Sequence, residues 1–227
     1  MEGRHVRSHR LPSRAHGFPA WRMALKGIPR IDLEKLVRRH LSIEESPETA
    51  GTLKLLAQAK TRGCLTRDEL ISVCRWKSPR AIRHVRRNRA AAVERTTRKA
   101  FASEDEAQKL TLLLALHGVS VPMASSILML TDPSRYGVID IRVWQFLHAT
   151  GTVGTNPNGQ GFSIGQWLEF LDVIRSFGKT FRVTPRAIER TLFGLHQLYQ
   201  HGTLYKPFHR ATKARPLTRR RQIHGSA

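Results

Sequence analysis

The sequence predicts an all-α protein, a two-lobed helical bundle in which two of the helices are joined by a tight hairpin. Three observations carry that prediction. Apolar residues recur at helical spacing along nearly all of the chain from about residue 30 to 204. Helix-start residues and Gly or Pro stops punctuate the chain at helix-length intervals. No run alternates apolar and polar residues as a half-buried strand would. With 227 residues and 40% hydrophobic content, the chain can bury a sizeable core.

The elements follow in order. Leu33, Leu36, Val37 and Leu41 fall on one helical face in the stretch opening at Ile31. Pro47 to Ala59 forms the next helix, its end marked by Arg62-Gly63. Thr66 is an N-cap, and Glu69 three residues later completes a capping box for a helix ending near Trp76. Ser78-Pro79 places a cap and a first-turn proline ahead of an Arg-dense helix, Arg80 to Arg87. Ser103, with Glu106 at the capping-box position, opens a helix carrying Leu110, Leu113, Leu114 and Leu116 and ending at Gly118. Val121 to Leu130 follows, stopped by Thr131-Asp132-Pro133. Asp140 to Ala149 is the next helix. Residues 151–161, rich in Gly, Asn and Thr, are expected to be a mobile loop. Ser163 opens a helix through Ile174, and Thr184-Pro185 starts the last, with Ile188, Leu192, Leu195 and Leu198 on its apolar stripe.

Charge narrows the function. The net charge is +22 and the pI about 11.5, so the expected partner is a polyanion, with nucleic acid first. Residues 1–29 and 205–227 read as basic tails with Glu2 as their sole acid. The domain between them is also basic. From Arg75 to Lys99 ten Lys/Arg stand against one acid, Glu94. No apolar run is long enough to cross a membrane, and the N-terminal tail has no apolar stretch of a secretory signal. Its Arg-rich, acid-poor character is that of an organelle transit peptide, though Gly and Pro interrupt it. Cys64 and Cys74 cannot build a disulfide framework, so an intracellular site, cytoplasmic or nucleoid-associated, is expected. The His residues lack the paired spacing of a zinc site, so no metal or cofactor is expected. The expected state is a monomer.

Chemistry concentrates between Leu116 and Trp144. Gly118 can take the positive φ of a tight reversal. The backbone N–H groups that follow it, around Val119, Ser120, Val121 and Met123, open a helix and can hold a phosphate without reading sequence. Beyond the second helix, Val138-Ile139-Asp140 delivers one carboxylate to a helix start. A carboxylate beside C1′ of a nucleotide stabilises the positive charge that builds on the sugar when a glycosidic bond breaks.

Leu116-His117-Gly118-Val119-Ser120 followed by Val138-Ile139-Asp140-Ile141-Arg142-Val143-Trp144 resembles the core of the helix-hairpin-helix DNA glycosylases. That superfamily includes endonuclease III, adenine glycosylase and 8-oxoguanine glycosylase. The family pattern has a second glycine where this chain has Ser120, and often proline where it has His117. The resemblance implies base excision from DNA, with Asp140 as the catalytic carboxylate. Bifunctional members carry a nucleophilic lysine in the second hairpin helix, but here that position is Pro122 and no Lys lies between Lys109 and Lys179. The implied enzyme is therefore monofunctional, unless a distant lysine such as Lys77 or Lys109 folds into place. Two cysteines cannot supply the four thiolates of the iron–sulfur cluster that some members hold.

DNA contacts are expected from Arg75, Lys77, Arg80, Arg83, Arg86, Arg87 and Arg142, on duplex with a flipped base or on a single strand. Trp76, Tyr136 and Trp144 are candidates for the base pocket. Two other classes fit the same charge: a nucleic-acid-binding protein that keeps the fold without the chemistry, and a ribosome-associated basic module.

Overall fold

A computed structural model describes residues 32–199. The two basic tails, and residues 30–31 and 200–204 of the expected domain, lie outside the described residues. Every regular element among the described residues is helical. Asp32 caps α1 (Leu33–Arg39), accepting from the Glu34 N–H at 3.1 Å. Ser46 caps α2 (Pro47–Arg62), and Gly63 ends it in the left-handed region at φ 73°. Thr66 and Glu69 exchange the two bonds of the capping box that opens α3 (Arg67–Lys77).

The chain then departs from its sequence reading. Ser78 makes no side-chain cap, and Pro79–Ala81 is a single 3-10 turn leading into α4 (Ile82–Val85). The regular helix ends at Val85, two residues short of the expected span 80–87, and the chain leaves it in a turn. The Arg67 guanidinium captures the Arg86 carbonyl at 2.7 Å and the Asn88 carbonyl at 3.0 Å.

The unforeseen helix is α5 (Ala90–Ala102). Its buried stripe is Val93, Thr97 and Ala100, a polar and a small residue beside one Val, which leaves no apolar period to read. Thr97 is satisfied within that stripe, donating to the Val93 carbonyl at 2.8 Å and accepting from Leu65 N–H at 2.9 Å. Ser103 ends α5; it does not open the next helix. Asp105 caps α6 (Glu106–Leu114) through the Gln108 N–H at 3.0 Å, and Glu106 is free to bind Tyr136 and two arginines.

The second hairpin helix, α7 (Val121–Thr131), is buried on every side from Met123 to Leu130. A helix that is apolar all round belongs in the centre of a fold. It packs against α2, α3, α6 and α9 (Ile164–Phe181). After α8 (Ile141–Ala149), α9 and α10 (Pro185–Tyr199), the main contacts fall into two groups. One holds α2 to α7; the other holds α8 to α10 with α1 laid on α10. One continuous apolar core joins them, and α9 bridges to α6 and α7. No described helix is long and apolar enough to cross a membrane.

Candidate functional site

Residues 136–139 run buried through the protein to Asp140. Two side chains from distant helices hold this segment's backbone. Glu189 on α10 accepts from the Val138 N–H at 3.4 Å, and Ser125 on α7 accepts from the Ile139 N–H at 3.2 Å. Asp140 then caps α8 through the Val143 N–H at 3.0 Å. Its other carboxylate oxygen lies 3.7 Å from the Lys77 ammonium. Both side chains are mostly buried, at 17% and 18% exposure, so this pair is shielded from bulk solvent.

Glu189 sits behind this pair. Burial pushes its carboxyl up; the Arg186 charge opposes that, and the Asp140 charge adds to it. Arg186 bonds Glu189 and grips Glu45 with two nitrogens, at 2.8 and 3.0 Å. The buried charge is therefore paired, as its position requires.

Asp140 opens onto a cavity of about 460 Å³. Lys77, Ser78 and Arg80 form one side, residues 120–123 at the start of α7 another, and Gly159, Gln160, Gly161 and Phe162 a third. This volume is in the range of small-molecule sites. The loop at 151–161, expected to be mobile, is fastened to α8. The Trp144 indole donates to the Thr155 and Asn156 carbonyls at 3.1 and 2.9 Å, and Gln145 donates to the Asn158 carbonyl at 3.0 Å. Asn156 in turn holds the Gln160 backbone through both its N–H and its carbonyl.

The turn before α7 is built for close approach. Gly118 has φ 78°, and a Cβ there would stand 2.9 Å from both His84 Cβ and the Val85 backbone nitrogen. Asn88 locks the same contact, donating to the His117 carbonyl and accepting from the His117 N–H, each at 2.9 Å. The Arg-rich α4 segment and the hairpin are thus held against each other. The Ser120 hydroxyl makes no cap and Pro122 has no N–H, so the Val121 and Met123 N–H groups are the ones at the start of α7 left without a side-chain cap.

The expected site residues divide accordingly. Asp140, Lys77, Arg80, Ser120, Val121 and Met123 line one cavity. Val119, Val121 and Met123 are buried, so any share of Val121 and Met123 in a phosphate grip comes from their backbone N–H groups, whereas the Val119 N–H already donates to the Leu116 carbonyl at 3.1 Å. Arg75, Arg83, Arg86 and Arg87 are exposed. Arg142 sets its guanidinium 5.6 Å from the Phe193 ring and 3.5 Å from His196.

None of the three expected base-pocket aromatics lines the cavity. Trp144 is fully buried beneath the loop. Tyr136 stacks on Trp167 at 6.5 Å and donates to Glu106 at 2.9 Å. Trp76 donates to Thr49 at 3.2 Å, with Arg186 over its ring. The lining aromatic is Phe162, set edge-on to Trp144 at 5.5 Å. Phe162 and Gln160 lie at the end of a polar Gly-rich loop, where no periodicity marks them, and Asn88 is one polar residue inside an Arg run.

No family model matches the chain, and neither the curated proteins nor the solved structures contain a match.

Proposed function

We propose that this protein is a DNA N-glycosylase of the helix-hairpin-helix type, with Asp140 as its catalytic carboxylate. The observation that carries the proposal is one cavity holding a shielded carboxylate, two cations and the open N-terminus of α7. Each has a task in base excision. The α7 N–H groups and Arg80 hold the phosphates flanking an extruded nucleotide. Phe162 and Met123 give its base an apolar seat. As the glycosidic bond breaks, its electron pair leaves with the base, which takes up a proton. Asp140 stabilises the positive sugar and accepts a proton from the water that adds at C1′.

Lys77 supports a second form of the same reaction. Once the Lys77 ammonium has passed a proton to Asp140, its amine attacks C1′ in place of water as the base leaves with the electron pair of the glycosidic bond, and opening of the C1′–O4′ bond, with a proton to O4′, leaves the sugar held as an imine. The short route from the Lys77 nitrogen to the Asp140 oxygen gives the amine's proton an acceptor.

The test is release of free base from duplex and single-stranded DNA carrying a panel of damaged and modified bases, read by mass spectrometry. Wild type releases a base and Asp140→Asn does not, while both bind the DNA. Asn retains the cap on α8, so the variant is expected to fold. Borohydride trapping separates the two forms: a covalent protein–DNA adduct that disappears in Lys77→Gln marks the amine route. DNA binding without release from any substrate leaves a nucleic-acid-binding protein without the chemistry.

A further inference from the structure

A second cavity, of about 490 Å³, lies where the turn after α7 meets the end of α9 and the start of α10. Arg135, Arg175, Lys179 and Arg182 line it, and no carboxylate does. Two of these cations are held in place. The Arg175 guanidinium bonds Glu106 at 2.7 Å and the Arg135 carbonyl at 3.1 Å. Arg135 reaches the same Glu106 oxygen at 3.4 Å. Both guanidinium carbons lie against the Tyr136 ring, at 5.3 and 5.6 Å from its centre. One carboxylate and one ring thereby fix two guanidinium groups while leaving part of each donor fork unused.

Lys179 and Arg182 continue the row. Residues 175, 179 and 182 follow at helical spacing along α9 and its cap, so the row extends about 10 Å at 1.5 Å per residue. Both side chains belong to exposed residues. Glu106 offsets only one of the four charges. A small phosphate ion would engage a single point of such a row. A nucleic-acid strand, carrying a charge about every 3.4 Å along its axis, matches its whole length.

We propose that Arg135, Arg175, Lys179 and Arg182 form a second nucleic-acid contact, on the sugar–phosphate backbone and separate from the Asp140 cavity. It rests on the nucleic-acid part of the reading above and not on base excision. The buried segment 136–139 joins the two sites. Five residue-to-residue steps lead from Arg135 to Asp140, which bounds their backbones to within about 18 Å.

The experiment measures DNA affinity against salt concentration for the full chain. The variant is Lys179→Gln with Arg182→Asn, since Asn accepts the left-handed backbone found at Arg182 (φ 57°). The control removes two exposed charges elsewhere, Lys35→Gln with Arg39→Gln on α1. The log–log salt slope of the Lys179/Arg182 variant is expected to fall by ~1.8, about 0.9 for each duplex phosphate that the variant no longer neutralises. The control keeps the wild-type slope, and base release at saturating enzyme is the same in all three proteins. A slope unchanged in the Lys179/Arg182 variant, or an equal fall in the control, overturns the proposal. So does a loss of inorganic phosphate binding, by calorimetry, with the DNA slope unchanged, which would make this a small-anion site. Wild type that binds no DNA removes the nucleic-acid reading itself, whereas DNA binding without base release leaves this proposal intact and removes only the excision chemistry.

Discussion

Replacing Gly118 with alanine tests whether the hairpin's docking on α4 depends on the absence of a side chain. Two costs add at this position. The left-handed backbone at φ 78° costs an L-residue about 1–2 kcal/mol. The new methyl group would also stand 2.9 Å from the Val85 backbone nitrogen and from His84 Cβ, and 3.0 Å from Val85 Cγ2. A backbone atom cannot swing aside like the end of a long side chain, so overpacking adds about 1–3 kcal/mol. The total for Gly118→Ala is about 2–5 kcal/mol. Gly63 isolates the first cost: its φ is 73°, but a Cβ there meets nothing within 4 Å. Gly63→Ala is therefore expected to cost about 1–2 kcal/mol alone. Urea unfolding followed by circular dichroism measures both variants, and m-values confirm the same two-state transition. Equal destabilisation of the two variants would refute the claim that contact with α4 constrains Gly118. DNA binding should fall further in Gly118→Ala than in Gly63→Ala, because only the former moves the α7 N–H groups.

Asn88→Ala removes the two bonds to the His117 backbone and one to the Val85 carbonyl at 2.8 Å; an expected destabilisation of roughly 2–3 kcal/mol, with faster hydrogen exchange at the His117 amide, checks it. Trp144→Phe keeps an aromatic side chain but shrinks it at a fully buried position and strips the donor to the Thr155 and Asn156 carbonyls. The lost bonds and the void together should cost about 2–3 kcal/mol, and proteolysis within residues 151–161 should quicken. Burial, and then the Arg142 charge, hold the His196 pKa below its ordinary 6.5, with Asp140 opposing. The unfolded chain therefore binds more protons between the lowered value and 6.5, so stability should rise with pH through that window and level off above it. His196→Gln should flatten that rise in a series of thermal melts at stepped pH.

The helices were readable where their signals are local. Thr66, Ser163 and Asp140 each cap through a side chain that bonds an N–H three residues on, and such bonds depend only on nearby chain. The failures have causes that local signals do not carry. Ser103 and Asp105 are both cap residues two positions apart, and only packing selects between them. Helix α5 hides its buried face in Thr97 and Ala100. The segment after Pro79 opens as a 3-10 turn, and Arg67 of another element holds the carbonyls that follow it.

By itself, the sequence determined an all-helical chain, its basic charge, the reversal at Gly118 and a carboxylate at the head of α8. Tertiary structure decided which groups share a space. Lys77 reaches Asp140 from two helical elements and a hairpin earlier in the chain, and Phe162 lines the cavity while Trp76, Tyr136 and Trp144 turn to other partners. The physical reason is range. Caps and turns are fixed by bonds within a few residues, whereas a cavity wall is assembled by helices whose order in the chain does not reveal which faces will meet.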